Sequence, residues 1–319
     1  MSLSDISLSP KQEKADRLAL KHLLFRAEWW LVGLVAALCV GCVVNATLRH
    51  QAVAWVEFFP AFGASAMLVA LGMYIRATRP MPQMALGAIG FGIFMAFSGS
   101  VAIFIFTLFP FASPLIDPSL MTVDAALGYR WIGFVEYIAQ YPAIGVALHY
   151  VYLSILPQMV GVIILLAFLH RPVDLHRFLT VGILCMIITV AFWWAFPSVG
   201  PSAFGMVSED IQEKIKLIAN AAYGEDMRRL SYDGISLISP SQITGVIALP
   251  SFHMIMACMV VWFTRGTLAF FPVVLVNIAM VPATLIHGGH HLVDLFGGVF
   301  TFTVCLWAAS RLIPKPLRD

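Results

Sequence analysis

The sequence predicts an all-α, polytopic membrane protein with about eight transmembrane helices. Three observations lead to this fold class: 60% of the 319 residues are hydrophobic, only 11% are charged, and the mean hydropathy is +0.88. A soluble domain typically carries about 25% charged residues, so most of this chain is suited to lipid rather than water. The net charge of +2 gives no indication of a nucleic-acid partner.

Apolar runs of roughly 20 residues, the length needed to cross the hydrocarbon core, locate the individual spans. The sixth run is short but contains Pro250, which suits the first turn of a helix. The polar start of the chain predicts an uncleaved tail over residues 1–24 rather than a signal peptide. The candidate spans are 27–48, 54–76, 84–111, 143–169, 177–197, 249–264, 268–286 and 289–310.

The lysine and arginine residues predict how these spans are oriented. Most of the 19 lie in the two termini and in alternate loops, and this bias places those segments in the cytoplasm. Both termini are then cytoplasmic, in agreement with an even number of spans, and we expect the protein in the cytoplasmic (inner) membrane. The residues of this set are Lys11, Lys14, Arg17, Lys21, Arg26, Arg76, Arg79, Arg171, Arg177, Arg265, Arg311, Lys315 and Arg318.

Two segments, 112–142 and 198–248, are predicted to lie on the outer side. In the first, a short interfacial helix is expected to end at Trp131. In the second, a helix is expected to begin after the cap Ser208 and to stop at Gly224.

Two histidines and an aspartate lie at the outer ends of predicted spans. His253 falls in the first turn of the sixth span, and His290 and Asp294 fall in the first turns of the eighth. At a spacing of i, i+4 the carboxylate shares a helix face with the imidazole and can fix its tautomer, whereas His291 points about 100° away. Helix amino termini also favour a bound anion. These residue types suit phosphoryl transfer, with one histidine as nucleophile and the other as acid.

The motifs around these residues resemble those of the type-2 phosphatidic acid phosphatase superfamily. Residues 250–253 read PSFH, and an HxxxD motif begins at His290, 37 residues after His253. The likeness covers roughly residues 115–310. Three further stretches are similar to the branch that includes fungal inositol phosphorylceramide synthase: YLSILPQ at 152–158, FPSVGP at 196–201 and DMRRLSYDG at 226–234.

The resemblance implies a role for each residue of the motifs. His290 attacks phosphorus, His253 protonates the leaving group, and Asp294 orients His290. The substrate is a lipid phosphate, the acceptor is water or a lipid alcohol, and neither a metal nor another cofactor takes part. The chain is then divided into the tail 1–24, an accessory transmembrane pair 25–80, and a catalytic membrane domain 84–312 that includes both outer segments.

The sequence departs from the family at the cations that bind phosphate. Ile164 stands where the lysine of the Lys-x6-Arg-Pro signature belongs, and Ala283–Thr284 replaces the Ser-Arg of the third signature. We expect Arg228 or Arg229 to replace these cations. Three further residues are candidates for binding substrate: Ser251 of PSFH, Tyr152 and Gln158, the last two being also of a type that hydrogen-bonds between helices.

Two other classes of function fit part of the pattern. The run from His287 to His291 matches an HxxHH box of membrane di-iron oxidases, although the sequence has no second box. The second alternative is a transporter with a histidine–carboxylate site at the membrane midplane. The sequence lacks the paired broken helices expected of such a transporter. The sequence leaves open which lipid is used, whether it is hydrolysed or transferred, and the oligomeric state.

Overall fold

A computed structural model describes residues 23–314 and confirms the all-α fold class. The predicted tail 1–24 lies almost wholly outside the described residues, as do Lys315 and Arg318. Two-residue strands, β1 (Ala52–Val53) and β2 (Leu237–Ile238), pair in parallel. The helices are α1 (Arg26–Leu48), α2 (Trp55–Thr78), α3 (Pro82–Phe106), α4 (Asp117–Ala126), α5 (Trp131–Ala139), α6 (Pro142–Leu153), α7 (Ile155–Phe168), α8 (Pro172–Ala195), α9 (Glu209–Lys214), α10 (Ala221–Asp233), α11 (Phe252–Phe263), α12 (Phe270–His287) and α13 (Leu292–Leu312).

Six helices of the described chain are long and apolar enough to cross a membrane: α1, α2, α3, α8, α12 and α13. Helices α6 and α7 form a seventh candidate if they count as one span bent by 46°. The remaining predicted span, 249–264, is the 12-residue helix α11. At 1.5 Å per residue it is about 18 Å long, too short for a hydrocarbon core of about 30 Å. Within the described residues, six or seven helices are therefore of spanning length, in agreement with a multi-pass membrane protein, and the other predicted span is the short helix α11.

Helix α11 nevertheless runs between the two ends of the bundle. At its start, the backbone N–H of Ser251 donates to the carbonyl of Asp294 in α13 (3.0 Å). After its end, the carbonyl of Arg265 accepts from Arg171, which precedes α8 (3.5 Å). Arg177 of α8 in turn donates to carbonyls at the carboxyl end of α13. One end of the bundle therefore carries the histidine motifs, and the other carries the arginine-rich loops.

Helix α3 lies between the amino-terminal helices and the rest of the bundle. It packs on α2 through glycines: a Cβ at Gly72 would lie 2.6 Å from Ile89 Cγ1, and one at Gly92 would lie 2.8 Å from the carbonyl oxygen of Ser65. Small residues allow membrane helices to approach this closely. The other side of α3 packs on α7 and α8.

A buried ion pair joins the two amino-terminal helices to α8. Glu28 of α1 is 1% exposed and accepts hydrogen bonds from both terminal nitrogens of Arg76 in α2 (2.6 and 2.9 Å). It also accepts the backbone N–H of Phe25 (2.7 Å) and contacts Nε2 of His176 in α8, at 3.2 Å. Breaking such a buried pair is costly, because a lone charge would be left in the bundle. The division into an accessory pair and a catalytic domain stays a prediction.

The first outer segment, 112–142, differs from the sequence prediction. Helix α4 ends at Ala126, and Trp131 begins a second helix, α5. The side chain of Trp131 is buried, and its Nε1–H donates to the carbonyl of Leu285 in α12 (3.0 Å). The indole therefore packs inside the protein and does not mark the membrane interface.

The second outer segment, 198–248, also differs from the prediction. Helix α9 ends at Lys214, and Gly224 lies inside the next helix, α10. Asn220 caps α10, because its side chain accepts from the N–H of Tyr223 (2.9 Å). A Cβ at Gly224 would lie 2.2 Å from the carbonyl oxygen of Ser202. The glycine is thus needed for close packing, not for ending a helix.

Candidate active site

Two glycines with positive φ bring the segments around the histidines together. Gly289, between α12 and α13, has a φ of +58°, and Gly200, in the loop after α8, has a φ of +91°. Glycine adopts this region at little cost. A Cβ at Gly200 would lie 2.1 Å from the carbonyl oxygen of Gly289. The segment 198–203 therefore lies directly against the loop that carries His290.

The imidazole of His290 is held by Asp294, one turn further along the chain. His290 Nδ1 lies 3.0 Å from Asp294 Oδ2, and both side chains are buried. The same oxygen accepts the backbone N–H of His291 (2.9 Å). A carboxylate at Nδ1 favours the tautomer that carries its proton there, which leaves the lone pair on Nε2.

The other nitrogen of His290 faces the start of α11. His290 Nε2 lies 3.3 Å from Oγ of the fully buried Ser251. The ring of His253 lies 6.3 Å from that of His290, measured between centroids, and stacks on the ring of Tyr152 at 4.2 Å. The two imidazoles are thus close enough for both to reach one phosphoryl group.

His291 faces away from His290 and is buried between two carboxylates. Its Nε2 lies 3.2 Å from Asp117 Oδ1 and its Nδ1 lies 3.0 Å from Asp124 Oδ2. Burial alone would lower the pKa of His291, but hydrogen bonds to Asp117 and Asp124 outweigh it and raise the pKa to about 9. At neutral pH His291 is therefore an imidazolium that ties α4 to the start of α13.

Asp117 and Asp124 are site residues that were not predicted from the sequence. Asp117 also accepts the backbone N–H groups of Val199 and Gly200 (3.1 and 2.7 Å), which ties the segment 198–203 to α4. The signal in the sequence is their spacing: at i, i+7 the two acids share one face of a helix. That face was expected to lie on the membrane surface, but it faces His291.

The amino terminus of α13 is not free to bind an anion, in contrast to the sequence-based expectation. Asp124 accepts the N–H groups of Leu292 and Val293 (3.2 and 3.3 Å), and Asp294 accepts that of His291. These carboxylates occupy the donors and neutralise the positive end of the helix dipole. The hydrogen-bond donors for a bound phosphate must therefore come from residues outside the amino terminus of α13.

Tyr129, in the loop before α5, holds the backbone at the histidine. Its hydroxyl donates to the carbonyl of His290 (3.3 Å). Burial, together with the nearby carboxylates of Asp124 and Asp294, raises the pKa of Tyr129, so the hydroxyl stays protonated. This is a third contact that the sequence analysis did not identify.

Gln158 and the two arginines predicted to bind substrate form their contacts with residues other than His290. Gln158 accepts a hydrogen bond from Asn277 of α12 (2.7 Å). This is the hydrogen bond between helices that was considered as the alternative to substrate binding. Arg229 is exposed and pairs with Asp226 on its own helix. Arg228 pairs with a glutamate one turn earlier and also donates to the carbonyl of Ala203 (2.9 Å), beside the segment 198–203.

The three histidines of HGGHH contact three different groups. Nε2 of His287 lies 3.0 Å from the carbonyl oxygen of Gly145, whereas His290 faces Asp294 and His291 faces the two aspartates of α4. Across residues 23–314, no three His, Cys, Asp or Glu side chains are arranged to hold a metal ion. Ligands of one metal cluster must converge, so this divergence does not fit the histidine-box alternative.

Several buried polar atoms beside the site have no hydrogen-bond partner within the described chain. Thr284 Oγ1, at the position of the family's arginine, is one, and Oδ1 of Asp294 is another. Ser202 Oγ is a third, and it lies 2.9 Å from where a Cβ of Gly289 would be. Buried polar atoms are normally hydrogen-bonded, so these three are available to water or to a polar ligand.

An apolar cavity of about 400 Å³ adjoins His253. It lies between α3, α7, α8, α11 and the segment 243–247, and His253 forms part of its wall. Its volume falls within the range of about 300–1,000 Å³ typical of ligand pockets. Other lining residues are Ile93, Phe97, Phe178, Gly182, Met256 and Met259.

A model of the PAP2 superfamily matches residues 118–308, which is more than half of the chain and includes His253, His290 and Asp294. No curated protein and no solved structure matches the chain. The PSFH and HxxxD motifs indicate the same family as this match. In the fold the two motifs are in contact, through Ser251 and His290. The protein therefore belongs to the PAP2 superfamily.

Proposed function

We propose that the protein transfers or hydrolyses the phosphate group of a membrane lipid through a phosphohistidine intermediate on His290. The observation that carries this proposal is the contact between His290 Nδ1 and Asp294 Oδ2 (3.0 Å). It leaves the lone pair of Nε2 on the side of Ser251 and His253. PAP2 superfamily members are phosphatases and phosphotransferases, and this chemistry agrees with that membership.

In the first step, the lone pair of His290 Nε2 attacks phosphorus and the bond from phosphorus to the leaving oxygen breaks. A protonated His253 gives its proton to that oxygen. Asp294 keeps the proton on Nδ1 and stabilises the positive charge that develops on the His290 ring. In the second step, water or a lipid alcohol attacks the phosphorus, loses its proton to His253, and the bond to His290 breaks.

The lipid nature of the substrate is supported by the cavity of about 400 Å³ beside His253. Its apolar lining suits a hydrocarbon chain, and His253 is shared between the cavity and the phosphoryl site. Of the two arginines expected to bind phosphate, we favour Arg228, since it contacts Ala203 next to Ser202 whereas Arg229 points to solvent.

Head-group transfer like that of inositol phosphorylceramide synthase is one form of this reaction, supported by the FPSVGP and YLSILPQ stretches. The orientation is supported by the arginine-rich loops at the end opposite the histidines. Both termini would then be cytoplasmic and the site would face the outer side. A cysteine placed at Tyr232 should react with a membrane-impermeant maleimide in intact cells, and reaction only after permeabilisation would reverse the orientation.

The central test traps the intermediate. Purified full-length protein is quenched during turnover of a lipid labelled at phosphorus, and the label on the protein is tested in acid and in alkali. A phosphohistidine is stable in alkali and lost in acid. His290→Asn should take up no label, whereas His170→Asn, the same change at an exposed histidine outside the site, should label like the wild type. Labelled His290→Asn would refute the proposal.

A serine nucleophile is a second candidate, because Ser251 Oγ, His290 and Asp294 form a hydrogen-bonded series (3.3 and 3.0 Å). In that mechanism His290 removes the proton from Ser251. The phosphoserine would be stable in acid and labile in alkali, the opposite of phosphohistidine. Ser251→Ala would then lose all labelling, whereas under the histidine mechanism it should still form the acid-labile product.

The histidine-box alternative is tested with the same protein. Activity that persists in a chelator and falls with vanadate, a mimic of five-coordinate phosphorus, supports phosphoryl transfer. Loss of activity in the chelator and its return with iron would instead support the metal site.

A further inference from the structure

A second cavity, of about 630 Å³, lies at the end of the bundle opposite the histidines. The start of α8, the end of α11, the turn that follows it and the last turns of α13 form its walls. The residues that determine its character are Arg171, Asp174, Arg177, Trp262, Arg265 and Trp307.

The lining of this cavity is positively charged. Among its residues in the described chain are three arginines and one acid, so it carries a formal charge of +2 even when the charge of Asp174 is counted in full. The rest of the lining is neutral. An excess of positive charge in a pocket at a membrane surface attracts anionic ligands.

Several contacts orient the arginines of this cavity. Arg171 donates to the carbonyl of Arg265 (3.5 Å), and Arg177 donates to carbonyls at the end of α13 (2.7 and 3.4 Å). The guanidinium of Arg265 lies 3.1 Å above the centre of the Trp262 ring. These contacts are made to neutral oxygens and to an aromatic ring, and with Asp174 counted as a full negative charge the lining keeps its formal charge of +2.

Two tryptophans indicate that the cavity opens at the level of the lipid head groups of the membrane. Trp262 and Trp307 are partly exposed on α11 and α13, and Trp307 also lies beneath the guanidinium of Arg311. Tryptophan is enriched where lipid head groups meet the hydrocarbon core. Phe263 and Leu306 complete an apolar wall. Cations, tryptophans and an apolar wall together match a phospholipid, with a charged head group and acyl chains.

We infer that this cavity binds the phosphate of an anionic phospholipid. Arg171 and Arg265 offer guanidinium donors to the phosphate, and the acyl chains extend along the exposed surface of α11 and α13. The site is separate from the histidines, and its occupant is bound without reaction. The inference therefore does not depend on the proposed function.

The test uses purified full-length protein with phosphatidylglycerol or phosphatidylcholine of identical acyl chains. Retention of each lipid is measured by native mass spectrometry, and thermal unfolding is measured in parallel. Arg171→Gln/Arg265→Gln should lower the affinity for phosphatidylglycerol by roughly 25-fold, the product of about fivefold for each arginine near a membrane surface. The control Arg49→Gln/Arg130→Gln, with the same charge change at the histidine end, should retain phosphatidylglycerol like the wild type.

Three results would overturn the inference: equal retention of the two lipids by the wild type, unchanged retention of phosphatidylglycerol by Arg171→Gln/Arg265→Gln, or a thermal shift that inorganic phosphate alone reproduces. If the double variant does not fold, Arg265→Gln gives the same test at an exposed side chain, with an expected loss of about fivefold. Unchanged retention by that single variant would equally overturn the inference.

Discussion

The buried imidazolium of His291 should make the stability of this protein depend on pH. Its pKa is raised to about 9 in the folded protein, against 6.5 in the unfolded chain. The protonated form therefore stabilises the fold fully below pH 6.5, and the contribution is lost as the pH rises through about 9. A difference of about 2.5 pKa units corresponds to about 3 kcal/mol. For a chain of this length that is a fall of roughly 5 °C in the unfolding midpoint.

Thermal unfolding in one detergent, followed by tryptophan fluorescence between pH 6.5 and pH 10, measures this effect. His291→Gln removes the titrating group, so the midpoint should be lower at neutral pH and should vary less with pH. The matched control is His149→Gln, at a partly buried histidine whose Nδ1 contacts the carbonyl of Lys216 (2.8 Å). That variant should keep the pH dependence of the wild type.

Two outcomes would refute the reasoning about His291. One is a wild-type midpoint that is the same at pH 6.5 and pH 10. The other is a His291→Gln variant with an undiminished slope, which would assign the pH dependence to other groups. Either result would mean that Asp117 and Asp124 do not hold a proton on His291 in the folded protein.

Three further substitutions test other contacts. Gly200→Ala should abolish lipid turnover and lower the unfolding midpoint, because its Cβ would lie 2.1 Å from the carbonyl oxygen of Gly289; an active, stable variant would contradict this. Glu28→Ala should destabilise the protein by about 3–5 kcal/mol, measured by chemical unfolding, since Arg76 loses its buried partner. Gly182→Phe should fill the apolar cavity and lower kcat/KM for a long-chain lipid phosphate more than for a short-chain analogue. An equal loss for both substrates would exclude this cavity as the binding site of the hydrocarbon chain.

The fold class and the contact between His290 and Asp294 could be read from the sequence because both depend on local pattern. Long apolar runs fix the membrane class, and the i, i+4 spacing alone brings the imidazole and the carboxylate together. The length of α11 could not be read in the same way. The apolar run over 249–264 is continuous in composition, but the helix begins only after Pro250 and its cap Ser251. Composition indicates whether a segment lies in lipid or in water, but it does not show where a helix in that segment begins.

The contacts of His291 could not be predicted, because its partners lie 167 and 174 residues away in the chain. Hydropathy indicates that Asp117 and Asp124 belong to an amphipathic helix, but not whether the polar face meets water or a buried cation. The prediction of a free helix terminus at α13 failed for the same reason. Asp124, from a distant helix, occupies donors that local reasoning assigns to a ligand.

Charge balance around His290 bears on the choice between hydrolysis and head-group transfer. Asp117, Asp124 and Asp294 carry three formal negative charges, against the positive charges of His291 and of the protonated His253 proposed as the acid. The family's signature cations are replaced by Ile164 and Thr284. A phosphomonoester brings close to two negative charges into this surrounding, whereas a phosphodiester brings one. Repulsion in a buried site is therefore weaker for the phosphodiester. The weaker repulsion is consistent with a phosphodiester donor, the substrate of the proposed head-group transfer.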